Sequence, residues 1–245
     1  MADERPLEGR IALVTGASRG IGAATAKALA SAGAHVVMVA RTARDLEAVE
    51  EAIHATGGTA TIAPMDLTEN DSIARLAAAV AERWNRLDIL IINAAMLPPL
   101  TPVTQIEPKS FNQALTLNVL ATQALLAAFD PLLTRSVAGG RVIGVTSSVG
   151  AEPRAYWSAY GASKAAFDNL LLSYAREVEK ISGNRVMLLD PGATRTEMRA
   201  RAYPGEDAST LKSSAVVGEE LVQLLAADFV TGSHHRAQTD PTAQT

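Results

Sequence analysis

The chain has 245 residues, a formal charge of −4 and no cysteine. The absence of cysteine excludes disulfides, thiol catalysis and cysteine-ligated metal sites, and the acidic balance argues against nucleic acid or a membrane surface as a partner. Hydrophobic residues make up 48% of the chain and aromatic residues 4%, so aliphatic side chains must fill most of the core. Because the start, MADERPLEGR, is charged and has no apolar stretch, it is not typical of a signal peptide, and we expect a cytoplasmic protein.

Short β-branched runs alternate with longer amphipathic runs along the chain. The predicted strands cover residues 10–16, 35–40, 59–67, 87–94, 141–148 and 184–192. The predicted helices cover about 21–32, 45–57, 70–84, 108–133, 158–181 and 213–227. Continuous apolar strands separated by helices are typical of a parallel sheet covered on both faces. We therefore predict an α/β fold in which residues 1–245 form a single domain around a doubly wound parallel sheet.

Two segments depart from this alternation. Residues 194–213 mix charged residues with Pro204 and Gly205, which indicates a mobile insertion that helps to determine the substrate. Residues 231–245, TGSHHRAQTDPTAQT, are polar and predict a partly disordered tail. The neighbours His234 and His235 in that tail have no acidic or cysteine partner at ligand spacing, so we predict no metal site.

A glycine-rich stretch at 15–22 follows the first predicted strand and opens the first predicted helix. Glycines at such a place permit a tight turn and close backbone approach, and the helix N-terminus faces a pyrophosphate. The alternative is an ordinary glycine-rich turn between a strand and a helix. The first interpretation predicts a dinucleotide-binding loop that contains Gly16, Ser18, Arg19, Gly20, Ile21 and Gly22.

The end of the second predicted strand bears on the choice between NAD and NADP. An acidic residue there accepts a hydrogen bond from the 2′-hydroxyl of NAD, whereas an arginine suits the 2′-phosphate of NADP. This strand ends at Ala40 and Arg41 without an acid. Each of Arg19 and Arg41, taken alone, is equally well a plain surface arginine. Together they predict a two-arginine clamp on the extra phosphate of NADPH.

The sequence YGASK places Tyr160 and Lys164 four residues apart at the start of a predicted helix. Residues i and i+4 share a face of a helix, so the phenol and the ammonium project side by side. A lysine in that position favours the phenolate and lowers a pKa that starts near ~10, which suits proton exchange with a substrate oxygen. The plain alternative is a tyrosine and a lysine that flank a surface helix.

The two motifs, TGxxxGxG at 15–22 and YxxxK at 160–164, resemble those of the classical short-chain dehydrogenase/reductase family, and the resemblance covers nearly the whole chain. It implies a Rossmann-type fold, a nicotinamide cofactor and hydride transfer between that cofactor and a carbonyl or secondary alcohol. The catalytic set that it implies is Asn118, Ser148, Tyr160 and Lys164. The further cofactor-site residues that it implies are Asp66 and Leu67 at the adenine, Asn93 and Ala94 at the central sheet, and Pro191, Gly192, Thr194 and Thr196 at the nicotinamide.

The resemblance also implies a mechanism and an assembly. Ser148 and Tyr160 donate hydrogen bonds to the substrate oxygen, and Tyr160 is the general acid/base. Lys164 lowers the pKa of Tyr160 and bonds the nicotinamide ribose, while Asn118 holds a water that connects Lys164 to solvent. Relatives commonly assemble through the helices at 108–133 and 158–181, so we expect a homodimer or homotetramer.

Three departures from the family pattern bear on this prediction. Ala95 stands where the family motif NNAG has glycine, so a position that needs positive φ or close cofactor approach would be disturbed. The interval from Ser148 to Tyr160 is one residue shorter than expected, which leaves Ser147 as a substitute. After Gly232 the usual VDGG strand is replaced by SHHRAQTDP, which puts the last strand in doubt.

Two functions of different class stay open. The first is an NADPH-dependent carbonyl reductase or alcohol dehydrogenase, with a 3-oxoacyl thioester reductase as a special case. The second is a catalytically silent NADP-binding sensor or scaffold, which Ala95 and the altered C-terminus favour. The residues expected to line the substrate pocket, besides 194–213, are Met96, Leu97, Arg154, Tyr156 and Trp157.

Overall fold

The computed structural model describes residues 5–238. The strands in chain order are β1 (Ile11–Thr15), β2 (His35–Ala40), β3 (Thr59–Pro64), β4 (Ile89–Ile92), β5 (Arg141–Val145), β6 (Arg185–Asp190) and β7 (Ser233–Arg236). The helices are α1 (Gly20–Ser31), α2 (Ala43–His54), α3 (Ser72–Trp84), α4 (Pro108–Leu115), α5 (Ala121–Leu133), α6 (Ser158–Val178), α7 (Glu197–Ala202) and α8 (Ser214–Ala227).

All seven strands form one parallel sheet in the order β3-β2-β1-β4-β5-β6-β7. The strand order reverses between β1 and β4, and open sheets of this type bind ligands in the crevice beyond the carboxyl ends of the strands at that point. The predicted α/β fold with a doubly wound parallel sheet is therefore confirmed, and the fold itself indicates where the site lies.

The core consists of two apolar layers, one on each face of the sheet. Alternate residues of β1 enter opposite layers, with Ala12 and Val14 on one side and Leu13 on the other. This is why the strand reads as a continuous apolar run rather than as an alternation. One layer is closed by α1, α2 and α8, and the other by α3, α5 and α6.

The predicted helix at 108–133 is interrupted by a π-helical turn at Thr116–Leu120, between α4 and α5. By length and composition alone this helical stretch passes the test for a membrane span, a weak criterion that core helices of soluble proteins also pass. Its inward side chains, among them Leu125 and Phe129, are buried against the sheet.

The C-terminal segment differs from the prediction. Strand β7 pairs in parallel with β6, and His235 Nε2 lies 2.6 Å from Glu220 Oε1. Residues 233–236 of the segment predicted as a polar, partly disordered tail therefore form a strand, while residues 239–245 lie outside the described part of the chain. The sequence pattern does not indicate this strand, because it is an edge strand with half-buried and exposed residues and therefore needs no apolar run.

Candidate active site

A cavity of about 1610 Å³ opens at the carboxyl ends of the strands. Most of the predicted site residues line it: Gly16, Ser18, Arg19, Gly20, Ile21, Arg41, Asp66, Leu67, Asn93, Ala94, Tyr160, Lys164, Pro191, Gly192, Thr194 and Thr196. Three predicted residues, Gly22, Asn118 and Ser148, are not among its lining. The predicted residues in its lining include those that follow the carboxyl ends of five strands, and Thr146 after β5 also lines the cavity. This is the place where an open sheet with a reversed strand order binds ligands.

The glycine-rich turn is packed too tightly for side chains. A Cβ on Gly22 would lie 2.1 Å from the Gly16 carbonyl oxygen and 2.6 Å from Asn93 Nδ2. Asn93 Nδ2 donates to the carbonyls of Thr15 (2.9 Å) and Gly16 (3.2 Å), which holds β4 against the turn. Gly22 and the amide of Asn93 therefore shape the turn, while Gly20 is left uncrowded at the mouth of the cavity.

The two arginines lie exposed on the rim of the cavity. Arg19 Nη1 forms an ion pair of 2.7 Å with Glu197 Oε2, which links the glycine-rich turn to α7. Within residues 5–238, Arg41 forms no ion pair. Nearby, hydrogen bonds from the Thr68 hydroxyl and amide, together with the charge of Arg41, lower the pKa of Asp66.

Tyr160 and Lys164 lie on the first two turns of α6 and are 7% and 2% exposed. Lys164 Nζ donates to the Val145 carbonyl at 2.7 Å and lies 6.0 Å from the centre of the Tyr160 ring. Burial lowers the pKa of Lys164 to about 8. The helix therefore places the two groups together as its spacing predicts.

The pKa of Tyr160 contradicts the sequence-based expectation in this structure. Burial, followed by the negative charges of Asp168 and Asp190, raises the pKa of Tyr160 instead of lowering it. The physical reason is that the phenol is taken out of water close to two carboxylates, while the nearby ammonium gives its short hydrogen bond to a main-chain carbonyl.

Of the two candidate serines, Ser147 is the one at the cavity. Ser147 is extended and lines the cavity wall with Tyr160, whereas Ser148 begins a short 3₁₀ turn. The Ser148 hydroxyl accepts a hydrogen bond of 3.0 Å from Arg154 Nη2. Ser147, the substitute considered above, therefore lies at the cavity because the backbone turns immediately after it, whereas Ser148 is not part of the lining.

Asn118 lies in the π-helical turn and is 1% exposed. Its Oδ1 accepts from the Met96 amide at 2.9 Å, and its Nδ2 donates to the Met96 carbonyl at 3.0 Å and to Ser163 Oγ at 2.9 Å. The side chain thus joins the segment after β4 to α6. These contacts position Met96 at the cavity. The role predicted for Asn118, holding a water that connects Lys164 to solvent, stays a prediction.

Aromatic side chains cluster around Tyr160 and Trp157, which both line the cavity. The centre of the Trp157 ring lies 6.1 Å from that of Tyr160 and 5.6 Å from that of Tyr203. The Arg199 guanidinium lies 3.8 Å from the Tyr203 ring and pairs with Glu206 at 2.6 Å. Trp157, Met96 and Leu97 line the cavity as predicted, whereas Arg154 and Tyr156 are not part of its lining.

The segment at 194–213, predicted to be a mobile insertion, contains α7 and contributes its first half to the cavity wall. Thr194 pairs with Lys212 in an isolated parallel bridge. Lys212 Nζ donates to the carbonyls of Ala237 (3.0 Å) and Gln238 (2.8 Å). Both ends of the segment are therefore held against the carboxyl edge of the sheet.

Comparison with known proteins agrees with this geometry. A family model for short chain dehydrogenase matches residues 10–207. The chain belongs to the short-chain dehydrogenase family. It is 38% identical over 212 residues to the oxidoreductase YciK of Escherichia coli K12, an alignment that covers 85% of this chain and 83% of that one.

Two solved structures of the family are also similar. One, from Shigella flexneri 2a strain 301 and complexed with NADP, is 35% identical with a TM-score of 0.91 and covers 96% of this chain and 100% of that one. The other, from Escherichia coli CFT073 and complexed with NADPH, is 36% identical with a TM-score of 0.91 and covers 96% and 99%. As a member of this family, the protein is an oxidoreductase.

This short-chain dehydrogenase also has site features that the sequence reading missed. The Thr146 hydroxyl donates to Asp168 Oδ1 directly behind Ser147, and Asp168 lies four residues after Lys164 on α6. The only available signal was that i+4 spacing, which by itself is common on any helix. Ala95, the residue expected to be strained, is not among the non-glycine residues with positive φ in the described chain.

Proposed function

We propose that this protein is an NADPH-dependent carbonyl reductase that also runs in reverse as an alcohol dehydrogenase. The observation that carries the proposal is that Ser147, Tyr160 and Lys164 converge on one cavity whose other end is the glycine-rich turn. Hydroxyl donors and a buried lysine next to a dinucleotide-binding turn suit carbonyl reduction.

The residues at the far end of the cavity fit a phosphorylated dinucleotide. Gly16 and Gly20 have positive φ, and the N-terminus of α1 faces the cavity, so the turn suits a pyrophosphate. Arg19 and Arg41 at the rim suit the extra phosphate of NADP, and two similar structures contain NADP or NADPH. Bound NADPH supplies the hydride that reduces the carbonyl carbon.

The chain's own residues provide the proton and the polarisation. The hydroxyls of Ser147 and Tyr160 donate hydrogen bonds to the substrate oxygen as negative charge develops on it. The raised pKa of Tyr160 keeps the phenol protonated, so that it acts as the acid in the reductive direction. Lys164, with a pKa of about 8, is able to return a proton to this site near neutral pH.

The cavity lining includes several large apolar side chains besides its polar residues. Met96, Leu97, Trp157 and Met198 are among them, and burial there favours an uncharged carbonyl compound. The features that favoured a silent sensor carry less weight, since Ala95 has an ordinary φ and the C-terminal segment completes the sheet. A 3-oxoacyl thioester reductase stays a special case of this proposal.

The proton donor is tested with Tyr160→Phe. Removal of the hydroxyl should lower kcat by about 10²- to 10⁴-fold, the usual contribution of a general acid/base. Ser147→Ala should also lower kcat, and Ser148→Ala is the matched control, since its hydroxyl faces Arg154. NADPH oxidation with isatin, an activated cyclic ketone, reports turnover, and a fluorescence titration should show NADPH binding intact. Unchanged turnover in Tyr160→Phe would refute the mechanism.

The cofactor preference is tested by fluorescence titration with NADPH and, separately, NADH. We expect NADPH to bind at least about tenfold more tightly, which is about 1.4 kcal/mol. Arg41→Ala should remove most of that difference and leave NADH binding unchanged, because only NADPH carries the additional phosphate. Equal binding of both cofactors by the wild-type protein would exclude the two-arginine clamp.

We further propose a homo-oligomer formed through α4, α5 and α6. Leu120, in the π-helical turn between α4 and α5, and Leu172, on α6, are 61% and 38% exposed, although both are large aliphatic residues. Light scattering at micromolar concentration should give a multiple of the 25.6 kDa chain, and a monomer would refute this assembly.

A further inference from the structure

A carboxylate that the proposed mechanism does not use lies directly behind the site. Asp168 belongs to α6, one turn beyond Lys164, and is half-buried. Its Oδ1 accepts a hydrogen bond from the hydroxyl of Thr146, which is 3% exposed. Thr146 lies between β5 and Ser147, so the bond ties α6 to the end of the strand that carries the cavity serine.

Three hydrogen bonds hold the two consecutive residues Val145 and Thr146 at the end of β5. The Val145 carbonyl accepts from Lys164 Nζ at 2.7 Å, and the Thr146 amide donates to the Leu189 carbonyl at 2.8 Å. The Thr146 hydroxyl bonds Asp168. Two of these three contacts come from α6, the helix that also carries Tyr160. The distance between Ser147 and Tyr160 therefore depends on them.

The surroundings leave the carboxylate little freedom. A Cβ on Gly150 would lie 3.1 Å from Asp168 Oδ2 and 3.1 Å from the Lys164 carbonyl carbon, so the turn after Ser148 closes over this point. The charged or titratable groups that act on Asp168 are Lys164 on its own helix, Asp190 of β6 and His234 of β7. Asp168 acts in turn on Tyr160.

We propose that Asp168 is a positioning residue, which through Thr146 fixes Ser147 relative to Tyr160 and Lys164. This inference rests on the proposed reductase function. A second consequence concerns charge. Burial lowers the pKa of Lys164, and the negative charge of Asp168 opposes that effect. Without Asp168, Lys164 should lose its proton at lower pH.

The test uses Asp168→Asn and the nearly isosteric Thr146→Val, alone and combined. Each should lower kcat for isatin reduction by about 10- to 100-fold, the range that follows from a small misplacement of a catalytic group. NADPH affinity in the fluorescence titration should change by less than about twofold. The double variant should lose no more than the worse single variant, because both changes act on the same hydrogen bond, which Asp168→Asn weakens by removing the acceptor's charge and Thr146→Val removes.

Two further readouts separate positioning from general destabilisation. Hydrogen exchange should become faster in the peptide that contains residues 145–148 in both single variants. In the pH profile of kcat/KM, the alkaline limb should move to lower pH in Asp168→Asn and stay in place in Thr146→Val. Asp130→Asn is the matched control. It weakens another hydroxyl–carboxylate bond to α6, that of the Tyr174 hydroxyl at 2.6 Å, away from the cavity.

The outcomes distinguish this inference from the proposed function. If Tyr160→Phe abolishes turnover while Thr146→Val and Asp168→Asn keep wild-type kcat, the positioning role is refuted and the reductase function stands. If Asp168→Asn does not fold, Thr146→Val and its exchange pattern decide the matter. Equal acceleration of exchange at 145–148 in Asp130→Asn would likewise overturn the inference. Turnover that is independent of Tyr160 would overturn both.

Discussion

Gly22→Ala should be among the most damaging single changes that the glycine-rich turn allows. Gly22 lies in the first turn of α1 and does not have positive φ, so an alanine there has no backbone strain of its own. The added Cβ would lie 2.1 Å from the Gly16 carbonyl oxygen and 2.6 Å from Asn93 Nδ2. That is well inside the optimum of ~3.5 Å between non-bonded heavy atoms.

The loss of stability in Gly22→Ala depends on which atoms the added Cβ would displace. The closest atom belongs to the backbone of the turn, and Asn93 is held by its bonds to Thr15 and Gly16. Overpacking costs about 1–3 kcal/mol, and we expect the upper end because no side-chain rotation relieves the contact. For a chain of this size, about 3 kcal/mol lowers the Tm by roughly 6–12 °C. The displaced turn should also bind NADPH at least about tenfold more weakly.

Two measurements test this prediction. Urea unfolding, monitored by circular dichroism, gives the stability, and the NADPH fluorescence titration gives the affinity. Gly57→Ala is the control for backbone strain, since Gly57 has a φ of +78° and no neighbour within 4 Å of the added Cβ. The free energy of unfolding of Gly57→Ala should fall by about 1 kcal/mol, and its NADPH affinity should not change. If Gly22→Ala is no less stable than Gly57→Ala and binds NADPH normally, the close-packing argument is wrong.

Three other outcomes can be checked with the same methods. Relative to Lys164→Met, the wild-type protein should gain stability as pH rises from about 8 to 10.5, because in that window the folded chain binds fewer protons than the unfolded chain. Urea unfolding of both proteins below and above this window measures the effect. A difference in unfolding free energy that does not change with pH would contradict the lowered pKa of Lys164. Asp228→Asn should lower the free energy of unfolding by about 2 kcal/mol, since it leaves the buried Arg141 without its counter-charge. An unchanged urea midpoint would contradict this. Trp157→Leu should raise the KM for isatin severalfold with little change in NADPH affinity, because the indole lines the cavity with its ring centre 6.1 Å from that of Tyr160; an unchanged KM would show that Trp157 does not contact the substrate.

Patterns that depend on neighbouring residues were readable from the sequence. β1 and β2 are apolar at successive positions because both faces of each are buried, and this alone indicates a parallel sheet covered by helices. The spacing of Tyr160 and Lys164 places both side chains on one face of α6 whatever the rest of the chain does. The glycines at 16, 20 and 22 likewise reflect a local need for a tight turn.

The other features of the fold and the site depend on contacts between segments that are distant in sequence. Ser147 and Ser148 are chemically identical in sequence, and only the point at which the chain turns after β5 makes Ser147 the cavity residue. β7 is recognisable only through its pairing with β6, because an edge strand needs backbone partners rather than an apolar pattern. The raised pKa of Tyr160 and the bond from Thr146 to Asp168 depend on groups that the fold packs together. Burial and electrostatics act through space, so local sequence spacing does not record them.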